Sequence, residues 1–173
     1  VTSPDTAALV LRIIVGLTLI AHGYNHIFGG GGIKGTAGWF QSMGLRPGIV
    51  HAWMSGLVEL AAGAGLIVGF LTPFAAGAII GTMVVAGITA HRTNGFFIFR
   101  PGQGYEYVLF IAVVCAAIGI LGPGKASLDH AIDIELDGWV GAAITLILGV
   151  GGAALLLATA WRPERKPADA TKA

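Results

Sequence analysis

The chain has 173 residues, 55% of them hydrophobic and 11% charged, with a mean hydropathy of +0.80. Soluble domains carry about 25% charged residues, so this balance excludes an ordinary soluble protein and predicts an integral membrane protein. The net charge of +1 gives no electrostatic basis for binding nucleic acid, and a single cysteine, Cys115, excludes an intrachain disulfide, a CxxC pair and a Cys-ligated cluster within the chain.

The first apolar run, Ala7 to Phe28, predicts a membrane helix. A bilayer core of about 30 Å needs roughly 20 such residues. It is not read as a cleavable signal, because no basic stretch precedes it and His22 to His26 lacks a small-residue cleavage pattern. At about 100° per residue, Arg12, Gly16, Leu19, His22, Gly23 and His26 share one arc. A polar group facing lipid costs about 2–3 kcal/mol or more, so this arc is expected to line the inside of a bundle.

Four glycines, Gly29 to Gly32, end the run. Thr36 is then expected to cap a short interfacial helix, Ala37 to Met43, anchored by Trp39 and Phe40 and stopped by Gly44. The second span, Ile49 to Leu71, carries one charge, Glu59, with Ser55, Gly56, Ala62, Gly63 and Leu66 on its face. Thr72-Pro73 makes a tight hairpin to the third span, Pro73 to Ala90, which has no charge. Gly77 and Gly81 in it have GxxxG spacing, which allows close packing without requiring a dimer; self-association stays open.

The connection His91 to Gly104 mixes aromatic and polar residues and suits the membrane interface. A short fourth span, Tyr105 to Leu121, ends at Gly122-Pro123-Gly124. The loop Lys125 to Gly138, with Asp129, Asp133, Glu135 and Asp137, is expected in water, with His130 and Asp133 on a solvated face. A fifth span, Trp139 to Trp161, precedes a basic tail expected to be disordered. The organisation expected is a membrane domain over 1–138, an additional helix over 139–161 and a tail over 162–173.

Five spans place Lys34, Arg46, Arg92, Arg100 and the tail basics Arg162, Arg165, Lys166 and Lys172 on one side, called the basic side below. The positive-inside rule puts that side in the cytoplasm.

These features resemble the DoxX family of small integral membrane proteins. The residues that carry the resemblance are Leu11-Arg12, His22-Gly23, Thr36 to Gly44 with Leu45, and Gly56-Leu57 with Glu59. Further along come Asn94-Gly95-Phe96-Phe97, Gly104-Tyr105-Glu106-Tyr107, and Gly122-Pro123-Gly124 leading to Ser127-Leu128-Asp129. The resemblance covers about Leu9 to Asp129 and implies an all-α protein built as a four-helix transmembrane bundle. The fifth span departs from that core. Family members are associated with membrane redox systems, including thiosulfate:quinone oxidoreductase subunits and quinol oxidase accessories. The resemblance therefore implies an accessory subunit in the inner membrane, bound to other membrane or peripheral redox subunits, contributing either to a quinone site or to structural support; the cofactor is left open, with quinone the candidate and haem not expected. An oxidoreductase subunit passing electrons from a sulfur compound to quinone is the enzymatic alternative. A small transporter is a third, but no internal repeat supports it.

The candidate site is the polar set His22, Glu59, His26, His91, Asn94 and Glu106. His22 lies about 9 Å and Glu59 about 14 Å from the basic side, so His22 is expected to partner Glu59. Arg12 is expected to snorkel or cap the opposite end. Three readings of the set stay open: a structural hydrogen-bonded network, a quinone-head or proton-relay site, and metal or haem ligation by His22 or His26 with His91. No metal is expected, since the His22/His26 pair lacks an HExxH pattern. His51 is expected at the interface and Cys115 in the core.

Overall fold

The structure is a computed structural model that describes residues 1–164. Residues 165–173 of the tail lie outside the described part, and with them most of the segment expected to be disordered. The protein is an all-α, multi-pass membrane protein. Four helices are long and apolar enough to cross a bilayer: α1 (Ser3–Phe28), α3 (Gly48–Val68), α4 (Thr72–Ala86, continuing through irregular turns to Asn94) and α7 (Gly138–Ala160). A shorter apolar helix, α5 (Glu106–Leu121), makes the fifth. Two further helices sit between spans, α2 (Gly32–Ser42) and the single turn α6 (Leu128–Ala131).

Glycine decides which helices touch. Helices α1 and α3 run antiparallel and pack along their length. A Cβ on Gly63 would lie 2.7 Å from the Gly16 carbonyl oxygen, and one on Gly23 would lie 2.7 Å from that of Gly56. Neither position can hold a side chain without pushing the helices apart. Helices α4 and α7 repeat the device: a Cβ on Gly77 would meet the Thr145 carbonyl at 2.9 Å, and one on Gly149 the Ile80 Cβ at 2.7 Å. The GxxxG pair of α4 is thus used inside the chain, against the fifth span. Thr145 also donates to the Pro73 carbonyl at 3.0 Å. The helix expected as an addition to a four-helix core is packed on α4 and α5.

The two halves, α1–α3 and α4–α5–α7, meet away from the basic side. Leu19, Leu66, Ile79, Cys115 and Ile118 form a fully buried core there. Beyond it the loop after α5 folds back over the α3–α4 turn. Asp129, expected in water, is buried. Its Oδ1 accepts from the Leu71 amide at 2.7 Å, and its Oδ2 from the Thr72 amide and hydroxyl at 2.9 and 2.8 Å. It caps α4 from a distant loop, and it holds Leu71 at a left-handed φ of 49°. Arg12 does not snorkel: it is fully buried, and its Nη2 donates to the Ala126 carbonyl at 2.6 Å. Asp129 supplies the nearby opposite charge. The guanidinium lies where a Cβ on Gly69 would stand, and Gly69 has φ 67°, so a glycine is needed there twice over. One charge comes from a span and the other from a distant loop, which explains why a local reading did not bring them together.

Other boundaries shift for local reasons. Helix α2 starts at Gly32, after Gly31 at φ 96°, so Thr36 is inside it and not its cap. The Thr36 hydroxyl donates to the His26 carbonyl at 2.7 Å and ties α2 to the end of α1. Helix α4 widens into a π-helical turn, Gly87–His91, then a 3-10 turn, Arg92–Asn94. At the exposed end of the loop His130 pairs with Glu135.

Candidate functional site in the membrane

On the basic side of the core the two halves separate, and a cavity of about 630 Å³ lies between them. Ligand pockets commonly run from about 300 to 1,000 Å³. Four helices supply its polar wall. The last turns of α1 put His22 and His26 one turn apart. The first turns of α3 place His51, Ser55 and Glu59 on one stripe at i, i+4 and i+8. The π-helical turn of α4 delivers His91, and the first turn of α5 delivers Tyr107; all of these line the cavity. Helix α2 lies across α1 and adds Trp39 and Phe40.

Glu59 is the buried carboxylate of the cavity wall, with its side chain 4% exposed. Its Oε1 accepts from the Ser55 hydroxyl at 3.0 Å and lies 3.5 Å from His26 Nε2. Its Oε2 has no hydrogen-bond partner among the described residues. The expected partner was His22; the structure places His26 there. His22 instead stacks on Tyr107, with ring centres 5.8 Å apart and planes at 12°. Depth along the helix was a fair guide, but azimuth was not. Gly23 faces α3, and His22 lies about 100° round from it, on the flank towards α5. His26 lies about 60° round on the same flank, closer to α3, and its Cβ leans back towards the approaching Glu59.

The rings form a partial cage. His26 stacks on Trp39 at 6.2 Å and meets the edge of Phe40 at 5.5 Å. His91 stands edge-on to Tyr107 at 5.8 Å, and its Nδ1 is 2.9 Å from the Gln103 carbonyl. His51, expected at the interface, is buried, with Nε2 3.4 Å from the Arg46 carbonyl and Nδ1 unpartnered among the described residues. Asn94 and Glu106 do not line the cavity. Asn94 donates to the Ala90 and Gly102 carbonyls at 3.0 and 2.6 Å, and Glu106 accepts from the Ile98 amide at 3.1 Å. Both hold the 91–104 loop in shape. Among the described residues no three His, Cys, Asp or Glu side chains converge as metal ligands.

The family model described as DoxX matches residues 7–92. The chain belongs to the DoxX family. The match spans α1 to the π-helical turn of α4, so it contains His22, His26, Glu59 and His91 but stops short of Asn94, Tyr107 and Glu106. No curated protein and no solved structure gives a significant match.

Sequence reasoning missed Tyr107, Trp39 and Phe40 as cavity residues. It also missed the His51–Ser55–Glu59 stripe as a unit. The i, i+4, i+8 spacing was the available signal, because it sets three polar groups on one face of a span.

One edge of the cavity is closed by hydrogen bonds between the α2–α3 connection and the end of α7. Trp161 Nε1 donates to the Met43 carbonyl at 2.9 Å, the Arg46 amide to Ala160 at 3.0 Å, and the Arg162 amide to Gly44 at 2.7 Å. The Arg92 guanidinium covers the Trp161 ring at 5.2 Å. Deeper in the membrane α3 and α7 do not pack on one another. There Met54 on α3 and Leu148 on α7 both line the cavity and are 39% and 45% exposed. The cavity therefore reaches the lipid-facing surface through the gap between these two helices.

Proposed function

We propose that this DoxX-family protein is an accessory membrane subunit of an inner-membrane redox assembly, and that its cavity takes the ring of a quinone whose tail lies in the lipid. The observation that carries the reading is the lateral gap between α3 and α7. It leads from lipid to a chamber whose far wall is polar and aromatic. A molecule that dissolves in the bilayer and carries a flat polar ring fits that shape. Trp39, Phe40 and Tyr107 offer faces and edges to a ring, and Ser55, Glu59 and His26 offer polar contacts at its rim. A bound quinone supplies two-electron, two-proton redox chemistry. The chain's own part is to hold the ring, keep water sparse around it, and offer Glu59, His26 and His22 as groups that can hold a proton. Membrane or peripheral redox subunits are the proposed partners.

The test is photolabelling in native-lipid particles with an azido-substituted quinone bearing a decyl tail. Label is expected in peptides from α2, the basic-side half of α3 and the first turns of α5, displaced by excess decyl-benzoquinone. Label confined to the lipid-facing surface, or not displaced, would remove the reading.

A further inference from the structure

Glu59 has one oxygen engaged and one free. Its Oε1 takes the Ser55 hydroxyl, and its Oε2 has no partner among the described residues although the side chain is 4% exposed. An ionised carboxylate only accepts hydrogen bonds. A buried acceptor left unpaired is costly, more so when charged, and the cost is removed by any ligand that presents a donor there. The second unpartnered polar atom of the wall is His51 Nδ1, on the same stripe of α3. Its ring turns Nε2 towards the Arg46 carbonyl, so a neutral ring donating from Nε2 keeps Nδ1 as an acceptor. With Glu59 in its ionised form, the unmet groups of α3 are therefore both acceptors.

A quinone and its reduced form differ in this respect. The dioxo ring has two carbonyl acceptors and no donor, and a carbonyl beside Oε2 would face a like partial charge. The dihydroxy ring has two O–H donors on the same skeleton. We infer that the cavity prefers a ring bearing hydroxyl donors, the dihydroxy form, over the dioxo form, with Glu59 Oε2 as the acceptor that discriminates. This rests on the cavity being a ring site, as proposed above, and adds which redox form occupies it. A rigid site that offers acceptors rejects a ring without donors because its own buried groups stay unpaired.

The experiment compares three probes on the purified full chain in lipid nanodiscs: decyl-benzoquinone, its hydroquinone under anaerobic conditions, and the dimethyl ether of that hydroquinone. The ether keeps the ring and tail but has no donor. Calorimetric titration is expected to give a dissociation constant for the hydroquinone at least about tenfold below the other two. In Glu59→Leu that advantage should disappear. In Glu59→Gln, whose amide both donates and accepts, the forms should bind within a few-fold of one another. Equal affinity of the native chain for hydroquinone and ether would overturn the donor preference while leaving the ring site standing. Binding of none of the three would overturn both. The ether comparison uses the unmodified chain, so it decides the matter even if a Glu59 variant does not fold.

Discussion

His26 and Glu59 face one another across the α1–α3 contact, with Nε2 3.5 Å from Oε1. The pairing follows from the glycine register. Gly23 and Gly56 touch, and each polar residue lies three positions further along its own helix. Because Cβ atoms lean towards a helix N-terminus, two antiparallel helices tilt these side chains towards each other. His22, nearer in depth, is turned to Tyr107.

A double-mutant cycle should separate the two histidines. Glu59→Gln and His26→Ala are expected to be non-additive in thermal stability in detergent, with a coupling of about 0.5–3 kcal/mol. Glu59→Gln and His22→Ala should add to within about 0.5 kcal/mol. Coupling to His22 and none to His26 would show that the pairing is wrong.

The glycine contacts should be sensitive to single methyl groups. Gly63→Ala and Gly149→Ala place a Cβ against backbone or a Cβ at 2.7 Å, so each is expected to destabilise by about 1–3 kcal/mol. Gly151→Ala, where nothing lies within 4 Å, is the control and should leave the melting temperature unchanged or slightly raised. Equal tolerance at all three positions would remove the claim that glycine sets the helix pairs.

The spans were legible in the sequence because hydropathy and length determine them, and each of the five expected spans is found near its expected position. The polar set was legible in part. His22, His26, Glu59 and His91 gather at one cavity because each sits in the basic-side half of the bundle. What was not legible depends on azimuth and on distant chain segments. Asp129 is unremarkable in an acidic loop until that loop meets the α3–α4 turn, and Tyr107 is an interfacial aromatic until α5 brings it against His22. Neither relation leaves a mark on local composition.

Asp129 should matter more than a loop carboxylate normally does. Asp129→Ala leaves the Leu71 and Thr72 amides unpaired and releases Leu71 from its left-handed turn. A loss of about 2–4 kcal/mol is expected from one cap and one unsatisfied buried donor. Asp129→Asn keeps one carbonyl acceptor and should lose about half as much. Glu135→Ala, at the exposed end of the same loop, should cost less than about 1 kcal/mol. Thermal melts of the three variants in one detergent check the order.

Orientation can be read with fusions. The side carrying Lys34, Arg46, Arg92, Arg100 and the tail basics is expected in the cytoplasm, with the Lys125–Gly138 loop outside. A phosphatase fused within that loop should be active and one fused after Lys172 inactive. The reverse pattern would invert the topology and with it the side nearest the cavity.

The lateral gap makes the sharpest demand on a single residue. Gly152 lines the cavity, is exposed, and has nothing within 4 Å of the position a Cβ would take. A large side chain there can stand in the passage between α3 and α7 without disturbing the α4–α7 contact, which runs through Gly77, Thr145 and Gly149. Gly152→Phe is therefore expected to weaken binding of decyl-hydroquinone by about tenfold or more while the melting temperature holds. Gly151 is the matched control. It is the neighbouring residue, equally open, but about 100° round the helix and not in the cavity wall, so Gly151→Phe should change neither quantity. If both variants bind as the native chain does, entry does not pass between α3 and α7, and the approach must be sought at the His22–Tyr107 edge instead. If both lose binding equally, the effect belongs to the helix surface and not to a passage.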